Sequence, residues 1–259
     1  MRRSKHGVRP TCGLRDTLTH SGRTAPHLLW APVMGFILVD VKSSIPAATV
    51  ARLPVYLRCL GDLTPMQSTC SSEELAAIAG VNSSQVRKDL SYVGSKGVRG
   101  VGYGVDDLGL ELRSALGLTK GYAVVIAGVG NLGRALSNYD GFAGWGFDVV
   151  ALFDSDPAKV GTEVGGLTID AMDDLERIVK EREVGIGIVA TPAGSAQEVA
   201  DRFTAAGLRS ILNFTPTVLQ VPDAVAVRRV DLSTELQILT FYLQNSSGSA
   251  AHDPKTASD

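Results

Sequence analysis

The feature that most constrains the fold of this chain is a glycine-rich turn directly after a run of apolar residues. Residues 122–127 are apolar enough to form a buried strand, residues 128–133 read Gly-Val-Gly-Asn-Leu-Gly, and a helix-forming segment follows. In such a unit the first glycine permits the turn, the second lets a pyrophosphate approach the backbone, and the third lets the helix pack on the strand. Free N–H groups at the helix start then face the phosphates. The pattern predicts an α/β Rossmann domain, a doubly wound parallel sheet, whose dinucleotide site includes Gly128, Val129, Gly130, Asn131, Leu132 and Gly133.

An aspartate downstream of the turn predicts which dinucleotide binds. Residues 147–153 read as the second strand, and Asp154 ends it, about 20 residues beyond the glycines as the dinucleotide pattern requires. A carboxylate there accepts hydrogen bonds from the ribose hydroxyls and repels a 2′-phosphate. Ser155 and Asp156 follow, and no Arg is at hand to neutralise that phosphate. NAD(H) is therefore favoured over NADP(H), and a turn that binds nothing is the weaker alternative.

Two further strands are predicted at residues 184–190 and 210–214, and each runs into a Thr-Pro loop. Ligands of doubly wound sheets lie at the carboxyl ends of the strands, so these loops should border the nicotinamide. The alternative is that these Thr-Pro pairs are ordinary loop residues with no ligand beside them, and this alternative is stronger for the second loop. The residues predicted there are uncharged, which favours the neutral ring of NADH over that of NAD⁺. They are Thr191, Pro192, Phe214 and Tyr139.

Residues 46–117 carry the signals of a second domain, with three helices and a hairpin. The apolar stripe of the first helix is predicted at Val50, Leu53, Leu57 and Leu60. Ser71 and Glu74 form a capping box for a second helix that ends at Gly80, and Asn82 can cap a third with Gln85 as its reciprocal partner. Two helices joined by a short turn that contains glycine are the helix-turn-helix arrangement.

The third helix predicts contact with DNA. Val86, Leu90 and Val93 recur at core spacing, and the opposite face carries hydrogen-bonding and basic side chains that suit the major groove. Residues 94–104 contain five glycines and predict a tight hairpin whose tip carries Lys96 and Arg99, a wing for the backbone or minor groove. A solvated charged face is the alternative. The DNA-contacting residues predicted here are Ser84, Gln85, Arg87, Lys88, Ser91, Tyr92, Lys96 and Arg99.

Charge and composition narrow the function. The net charge is −2, yet residues 46–104 carry +2 and residues 121–244 carry −7, so the basic side chains are concentrated on the domain predicted to meet a polyanion. No apolar run is long enough to span a membrane. Three cysteines without a C-x-x-C pair argue against a zinc site and against a disulfide scaffold, and favour a reducing cytoplasm. No metal site is predicted.

The chain lacks the residues that a dehydrogenase needs. Hydride transfer requires a proton donor or acceptor beside the ring. All four histidines lie in the two segments predicted to be disordered, residues 1–45 and 246–259. Residues 121–244 hold no Cys, and their lysines, Lys159 and Lys180, are predicted at the surface. The nucleotide is therefore predicted to be a signal and the protein not to be an enzyme.

A strongly apolar helix is predicted near the end of the chain. Leu232, Leu236, Leu239 and Leu243 form one helical stripe. Such a helix must be buried against something, and a second copy of the chain is the natural partner because a pseudopalindromic operator requires two symmetry-related reading helices. A homodimer on double-stranded operator DNA is expected.

From Pro46 to Gln244 the chain resembles the Rex family of redox-sensing transcriptional repressors. The resemblance rests on Arg-Leu-Pro-Val-Tyr-Leu-Arg at 52–58, Gln-Val-Arg-Lys-Asp-Leu-Ser-Tyr at 85–92, Arg-Gly-Val-Gly-Tyr at 99–103, the glycine turn, Tyr-Asp-Gly-Phe at 139–142 and Ile-Leu-Asn-Phe at 211–214. It implies a winged-helix domain at 46–117, a Rossmann domain at 118–230 and a C-terminal helix at 231–245 that is swapped within the dimer. It also implies that operators are held when NADH is low and released when NADH rises.

The resemblance further implies a switch, in which Arg58 of the first helix pairs with Asp231 before the swapped helix. The family often has an aromatic residue after that Asp, where this chain has Leu232. The alternative is a catalytic module, either a nicotinamide oxidoreductase or a CoA-binding synthetase-like subunit. The basic region from Lys88 to Arg99 argues against both, because an enzyme has no need of a basic wing.

Overall fold

The computed structural model describes residues 45–63 and 67–248. Of the two segments predicted to be disordered, residues 1–44 and 249–259 lie outside the described residues, and residues 246–248 belong to a helix. None of the helices described is long and apolar enough to cross a membrane. Within these residues no group of three or more His, Cys, Asp or Glu side chains is placed to hold a metal ion.

The N-terminal part contains four helices and a small antiparallel sheet. The helices are α1 (Ala47–Leu63), α2 (Ser72–Ala79), α3 (Ser83–Tyr92) and α4 (Val105–Ala115). Strand β1 (Thr69–Cys70) pairs with β2 (Tyr103–Gly104) and ties the start of α2 to the start of α4. Helix α4 was not predicted from the sequence. It begins with two acids, Asp106 and Asp107, which suit a helix N-terminus, and it buries Leu108 and Leu112.

The core side of α1 differs from the predicted stripe. Leu53, Leu57 and Leu60 are buried as expected, but Val50 is 39% exposed. Its place on the inner face is taken by Thr49 and by Tyr56, which are almost completely buried. These two polar residues face the core because their hydroxyl groups donate hydrogen bonds to a buried carboxylate, which is described below.

The predicted caps set the turn between α2 and α3. Ser71 and Glu74 make the reciprocal capping box, and Gly80 ends α2 in the left-handed conformation with φ 68°. The Asn82 side chain accepts from the Gln85 N–H at 2.7 Å and so begins α3. The Gln85 side chain does not reciprocate. Its Nε2 donates to Asp89 instead, at 2.8 Å.

The second part is a seven-stranded sheet flanked by helices. Its strands are β3 (Tyr122–Ala127), β4 (Phe147–Asp154), β5 (Glu163–Val164), β6 (Leu167–Ala171), β7 (Ile186–Val189), β8 (Ser210–Asn213) and β9 (Ala226–Arg229). Their order is β5-β6-β4-β3-β7-β8-β9, and every pair is parallel except β5 with β6. Helices α5 (Asn131–Ser137), α6 (Leu175–Glu181) and α7 (Ala196–Ala205) connect the strands. The order reverses beside β3, which places the ligand crevice at the carboxyl end of that strand.

Alternate residues of β3 face opposite sides of the sheet. Val125 and Ala127 belong to the core under α6 and α7, whereas Val124 and Ile126 belong to the core on the other side. Trp145 follows α5 and packs against the core of the N-terminal helices, where the guanidinium of Arg113 lies 5.3 Å from its ring centroid. This contact connects the helical part to the sheet.

The C-terminal helix α8 (Leu232–Gly248) presents its apolar side chains to the outside of the chain. The four leucines of the predicted stripe, together with Phe241 and Tyr242, are each 56–66% exposed. The helix runs three residues beyond its predicted end.

Candidate nucleotide site and DNA-binding face

The three glycines of the turn have separate structural reasons to be glycine. Gly128 has φ 95°, and a Cβ there would stand 2.7 Å from the backbone of Ala190 and Thr191. A Cβ on Gly133 would stand 1.9 Å from the carbonyl oxygen of Gly128, so this glycine lets α5 pack against β3. Gly130 has nothing within 4 Å of a built Cβ, and its side therefore opens on free space. That open side is where a phosphate could approach the backbone.

The carboxylate of Asp154 connects the end of β4 to the glycine turn. Its Oδ2 accepts from the Val129 N–H at 2.9 Å, and its Oδ1 accepts from the Asp156 N–H at 2.9 Å. Lys159 Nζ also donates to Oδ2, at 2.9 Å. Burial opposes the charge of this carboxyl, yet the three donors outweigh burial and the pKa of Asp154 lies below its usual value. Asp154 is therefore ionised at neutral pH.

Lys159 was predicted at the surface, and the structure shows it only partly exposed. Its side chain is 32% exposed and forms an ion pair with Asp154 at the wall of a cavity. The sequence signal for this was weak, since a lysine five residues after the strand also suits an exposed loop. Lys180 is exposed, as expected.

The cavity beside the glycine turn is here called the nucleotide cavity. It has a volume of about 560 Å³ and lies between the glycine turn, the Asp154–Lys159 pair and the loop that follows β7. Within the described part of the chain, the buried hydroxyl oxygen of Thr191 has no hydrogen-bond partner. A buried hydroxyl that lacks a partner costs stability, and a polar ligand would supply the missing hydrogen bond. The residues present therefore fit a dinucleotide.

The structure divides the residues predicted at the nicotinamide. Thr191 and Pro192 line the nucleotide cavity, whereas Phe214 and Tyr139 do not. Tyr139 lies beyond the end of α5, and a helix of that length carries it roughly 10 Å from the turn. Phe214 follows β8, which is two strands away from β3, and packs against the core on the face of Val124. Neither the short distance of Tyr139 from the turn along the chain nor the position of Phe214 at a strand end brings these side chains to the cavity.

A second cavity, here called the sheet-face cavity, opens on the other side of the sheet. It has a volume of about 460 Å³ and a mainly apolar wall that includes Tyr139, Trp145 and Ile188. Arg58 and Arg228 also line it. Arg58 forms no ion pair with any residue in the described part of the chain. Its predicted partner, Asp231, accepts hydrogen bonds from Ser233 and has Arg229 at 3.9 Å. The predicted switch pair is therefore not formed within one chain.

The exposed face of α3 carries several of the residues predicted to contact DNA. Ser84, Arg87, Lys88, Ser91 and Tyr92 are exposed. Arg87 Nη1 makes an ion pair with Glu73 at 2.9 Å and donates to Ser72 of α2. Gln85 is half-buried because its amide donates to Asp89. The free polar face thus centres on Lys88 with a serine on either side.

Beneath that face lies a buried carboxylate, Asp89, to which the sequence analysis assigned no role. Asp89 is fully buried, and every donor around it is a side chain. Its two oxygens accept from Thr49, from Arg52 twice, from Tyr56 and from Gln85, at 2.6–2.9 Å. Burial raises the pKa of Asp89, but the donors prevail and the pKa lies well below its usual value. Burial and the bond to Asp89 raise the pKa of Tyr56 to about 12.

This network fixes α3 against α1. The signal that could have revealed it is the helical spacing of Thr49, Arg52 and Tyr56, three polar residues that share one face of an otherwise apolar helix.

The wing differs in detail from the predicted hairpin. A single antiparallel bridge joins Val98 to Gly102, and residues 99–101 form the turn. Arg99 is therefore at the tip, but Lys96 precedes the bridge and lies next to α4. Gly102 has φ 97°, and a Cβ there would stand 2.2 Å from the carbonyl oxygen of Cys70. This close approach anchors the wing on β1.

Comparisons with known proteins agree with this architecture. Residues 44–91 match the family described as "Putative DNA-binding protein N-terminus", and residues 119–217 match the family described as "CoA binding domain". The redox-sensing transcriptional repressor Rex of Streptomyces avermitilis is 58% identical over 208 residues, which cover 80% of this chain and 82% of the relative. The Rex repressor of Roseiflexus sp. (strain RS-1) is 43% identical over 83% of this chain and 98% of its own length.

Solved structures are similar as well. The crystal structure of RSP, a Rex-family repressor, is 36% identical, has a TM-score of 0.73 and covers 78% of this chain and 95% of that chain. The structure of RSP in complex with β-NAD⁺ and operator DNA is 36% identical, has a TM-score of 0.73 and covers 82% of this chain and 99% of that chain. With its helix-turn-helix, its glycine-turn sheet and these relatives, the chain belongs to the Rex family of redox-sensing transcriptional repressors.

Proposed function

We propose that this chain acts as a dimer whose α3 helices read operator DNA and whose nucleotide cavity binds NADH, which releases the DNA. As a Rex-family protein the chain is a transcriptional repressor that responds to NADH and NAD⁺, and it is not an enzyme. The observation that carries the assignment of the site is the unpartnered hydroxyl of Thr191 beside the glycine turn and Asp154, because it marks a place for a polar ligand.

The DNA contacts follow from the exposed face of α3. Lys88, Ser84 and Ser91 extend from the middle of that face and reach base edges, with the amide of Gln85 at their border. Arg87 keeps Nε for a phosphate, while Nη1 holds Glu73 and Nη2 donates to the Ser84 hydroxyl at 3.3 Å. The remaining predicted residues contact phosphates or the minor groove. They are Tyr92, Lys96 and Arg99.

The NADH contacts follow from the nucleotide cavity. The backbone of the glycine turn, from Gly128 to Gly133, receives the pyrophosphate. Asp154 accepts from the adenosine ribose, and Thr191 and Pro192 border the nicotinamide half. In this proposal Phe214 and Tyr139 stay sequence predictions, because they lie outside the cavity.

The dimer follows from the exposed apolar side of α8. That helix offers a strip of leucine and aromatic side chains, and the sheet-face cavity offers an apolar wall in the same chain. Two arginines, Arg58 and Arg228, line the cavity, and two acids, Asp231 and Glu235, lie at the start of the helix. Apolar surface and charge thus both match if α8 of one protomer enters the sheet-face cavity of its partner.

NADH can release DNA only if it binds one arrangement of the dimer better than the other. A coupling of about 1–3 kcal/mol would change operator affinity roughly 5–150-fold. Trp145 packs against the helical core, and Arg113 lies over its ring. Through this contact a movement of the sheet can be passed to the DNA-binding part.

The test is a DNA titration at one fixed salt concentration, with an operator selected by this protein from a random duplex pool. We expect tight binding without nucleotide, little change with NAD⁺ and a large loss with NADH. The matched variant is Thr191→Val, which removes the unpartnered hydroxyl and keeps the shape. It should bind the operator normally and need more NADH for release. Operator binding that ignores NADH at every concentration would refute the proposal.

A further inference from the structure

The turn after β4 bends Lys159 back toward the strand. The Lys159 N–H donates to the Asp156 carbonyl at 2.9 Å, and the Asp156 side chain accepts from the Ala158 N–H at 3.0 Å. The carbonyl of Lys159 accepts from the Thr162 hydroxyl at 2.6 Å. Hydrogen bonds on both sides therefore fix the backbone of Lys159, and its Nζ lies 2.9 Å from Asp154 Oδ2.

This lysine changes the charge balance at the adenosine end of the nucleotide cavity. The sequence argument for NAD(H) assumed that no cation stood beside Asp154. The structure places one there, in direct contact with the carboxylate and on the wall of the same cavity. The other charged residues of that wall, Asp156 and Glu198, are both acidic, so Lys159 is the one cation among the lining residues.

We propose that Lys159 is a second specificity determinant of this site: it can bind a phosphate on the adenosine ribose, and Asp154 prevents this. The proposal rests on the proposed function, since it assumes that the adenosine half of NADH lies beside Asp154. While the carboxylate is present, it occupies the lysine and repels the 2′-phosphate of NADPH. Without the carboxylate charge, the ammonium group keeps its place on the wall and gains a phosphate as its natural counter-ion.

The geometry also selects the right substitution at Asp154. This carboxylate accepts from the Val129 N–H as well as from Lys159, and alanine would leave the glycine turn without that bond. Asp154→Asn keeps one oxygen for the Val129 N–H and removes the charge. Lys159→Met keeps the length of the side chain and removes the ammonium group.

The experiment measures the dissociation constants of NADH and NADPH for the full chain, by calorimetry at one fixed salt concentration. The proteins are the parent, Asp154→Asn, Lys159→Met and the double variant. The ratio of the two constants is the readout, so that a general loss of affinity cancels. We expect Asp154→Asn to move the ratio toward NADPH by about tenfold or more, the scale of a charge-assisted hydrogen bond. The double variant should lose most of that gain.

Lys180→Met in the Asp154→Asn background is the matched control, because Lys180 is an exposed lysine on α6 outside the cavity. It should leave the gain intact. Should Asp154→Asn fail to fold, Lys159→Met alone still decides: it must shift the ratio toward NADH by at least about threefold, since it leaves the Asp154 carboxylate without its cation and so strengthens the repulsion of the 2′-phosphate.

The role of Lys159 would be overturned if Asp154→Asn and the double variant bound NADPH with equal affinity. It would also be overturned if Asp154→Asn had the same ratio of NADH and NADPH dissociation constants as the parent. Failure of the proposed function gives a different result, because a parent protein that binds neither nucleotide refutes both.

Discussion

Among the residues that the structure describes, the helical part and the sheet part each contain one buried aspartate, and the two have different surroundings. Asp89, beneath the exposed face of α3, is fully enclosed and receives hydrogen bonds from four side chains of the protein. Asp154, at the end of β4, is 7% exposed, receives two backbone N–H groups and one lysine, and lines a cavity. The first carboxylate is satisfied without a ligand. The second is satisfied in part by a cation, Lys159, that lines the same cavity.

The difference separates a structural charge from a binding charge. A buried ion with a full set of protein donors fixes the elements that supply them, here α1 and α3. A carboxylate that shares a cavity wall with an unpartnered hydroxyl, that of Thr191, is arranged for a partner from outside the chain. Depressed pKa values are common to both aspartates and do not distinguish them.

The largest effect is expected at Asp89. Asp89→Asn leaves Arg52 and two hydroxyls around a neutral amide, and breaking one partner of a buried ion pair costs roughly 3–5 kcal/mol. Denaturant unfolding should show this loss, together with weaker operator binding. Asp154→Asn is the comparison variant and should cost clearly less. Equal losses would show that the two aspartates do not differ in the way described.

Acid should act through Asp89 in a defined direction. Its pKa in the folded chain lies below the unfolded value of about 3.9, so the pair stabilises the fold fully above that value. The contribution is lost progressively as the pH falls below about 4. In Asp89→Asn the free energy of unfolding should change less over this range. A variant with the same acid sensitivity as the parent would contradict the assignment.

Two glycines of the turn sharpen the contrast between structure and binding. Gly133→Ala drives a Cβ against the Gly128 carbonyl and should cost roughly 1–3 kcal/mol of stability, as overpacked cores do. Gly130→Ala meets open space and should fold normally, while its methyl group obstructs the phosphate and weakens NADH binding. Thermal unfolding and NADH titration of both variants test this. Gly144→Ala, also in open space, is the neutral control.

The sequence predicted well those features that depend only on residues close together in the chain. The capping box at Ser71 and Glu74, the end of α2 at Gly80 and the strand–turn–helix around Gly128 were all read from neighbouring residues. It failed where distant elements meet. The pairing of Lys159 with Asp154 depends on how a turn closes, and the burial of Asp89 depends on α1 lying against α3.

Two of the four residues predicted at the nicotinamide lie outside the nucleotide cavity and stay predictions. Tyr139 was chosen because it follows the first Rossmann helix in the sequence, but the length of α5 separates it from the turn. Phe214 was chosen because it follows a strand, but β8 is two strands away from β3, and the sequence alone does not give that strand order.

On the exposed face of α3 the contrast lies between two neighbouring cations. Lys88 is exposed and should read a base, so Lys88→Ala should cost roughly 1–3 kcal/mol on the operator and relax sequence preference. Arg87 is held by Glu73, and Arg87→Ala should weaken operator and random duplex alike and lower the slope of affinity against salt by about one. Anisotropy titrations on both duplexes at several salt concentrations measure this. If Lys88→Ala kept its selectivity, α3 would not be the reading helix.

The smallest effect is expected at the pair that would join the two protomers. Arg58 lines the sheet-face cavity without a carboxylate partner in the described part of its own chain, and Asp231 stands at the start of an exposed helix. We expect Arg58 to pair with Asp231 of the other protomer in one of the two dimer arrangements. Because exposed ion pairs contribute little, the NADH concentration that releases DNA should change only about threefold in Arg58→Ala or Asp231→Ala.

The decisive measurement is the double variant in a double-mutant cycle, with Arg228→Ala as the control for the other cation of the cavity. If the residues pair, the double variant should resemble either single variant, since the second substitution removes nothing that the first has left. Two effects that simply add would show that the residues act separately and that the packing of α8 alone sets the balance.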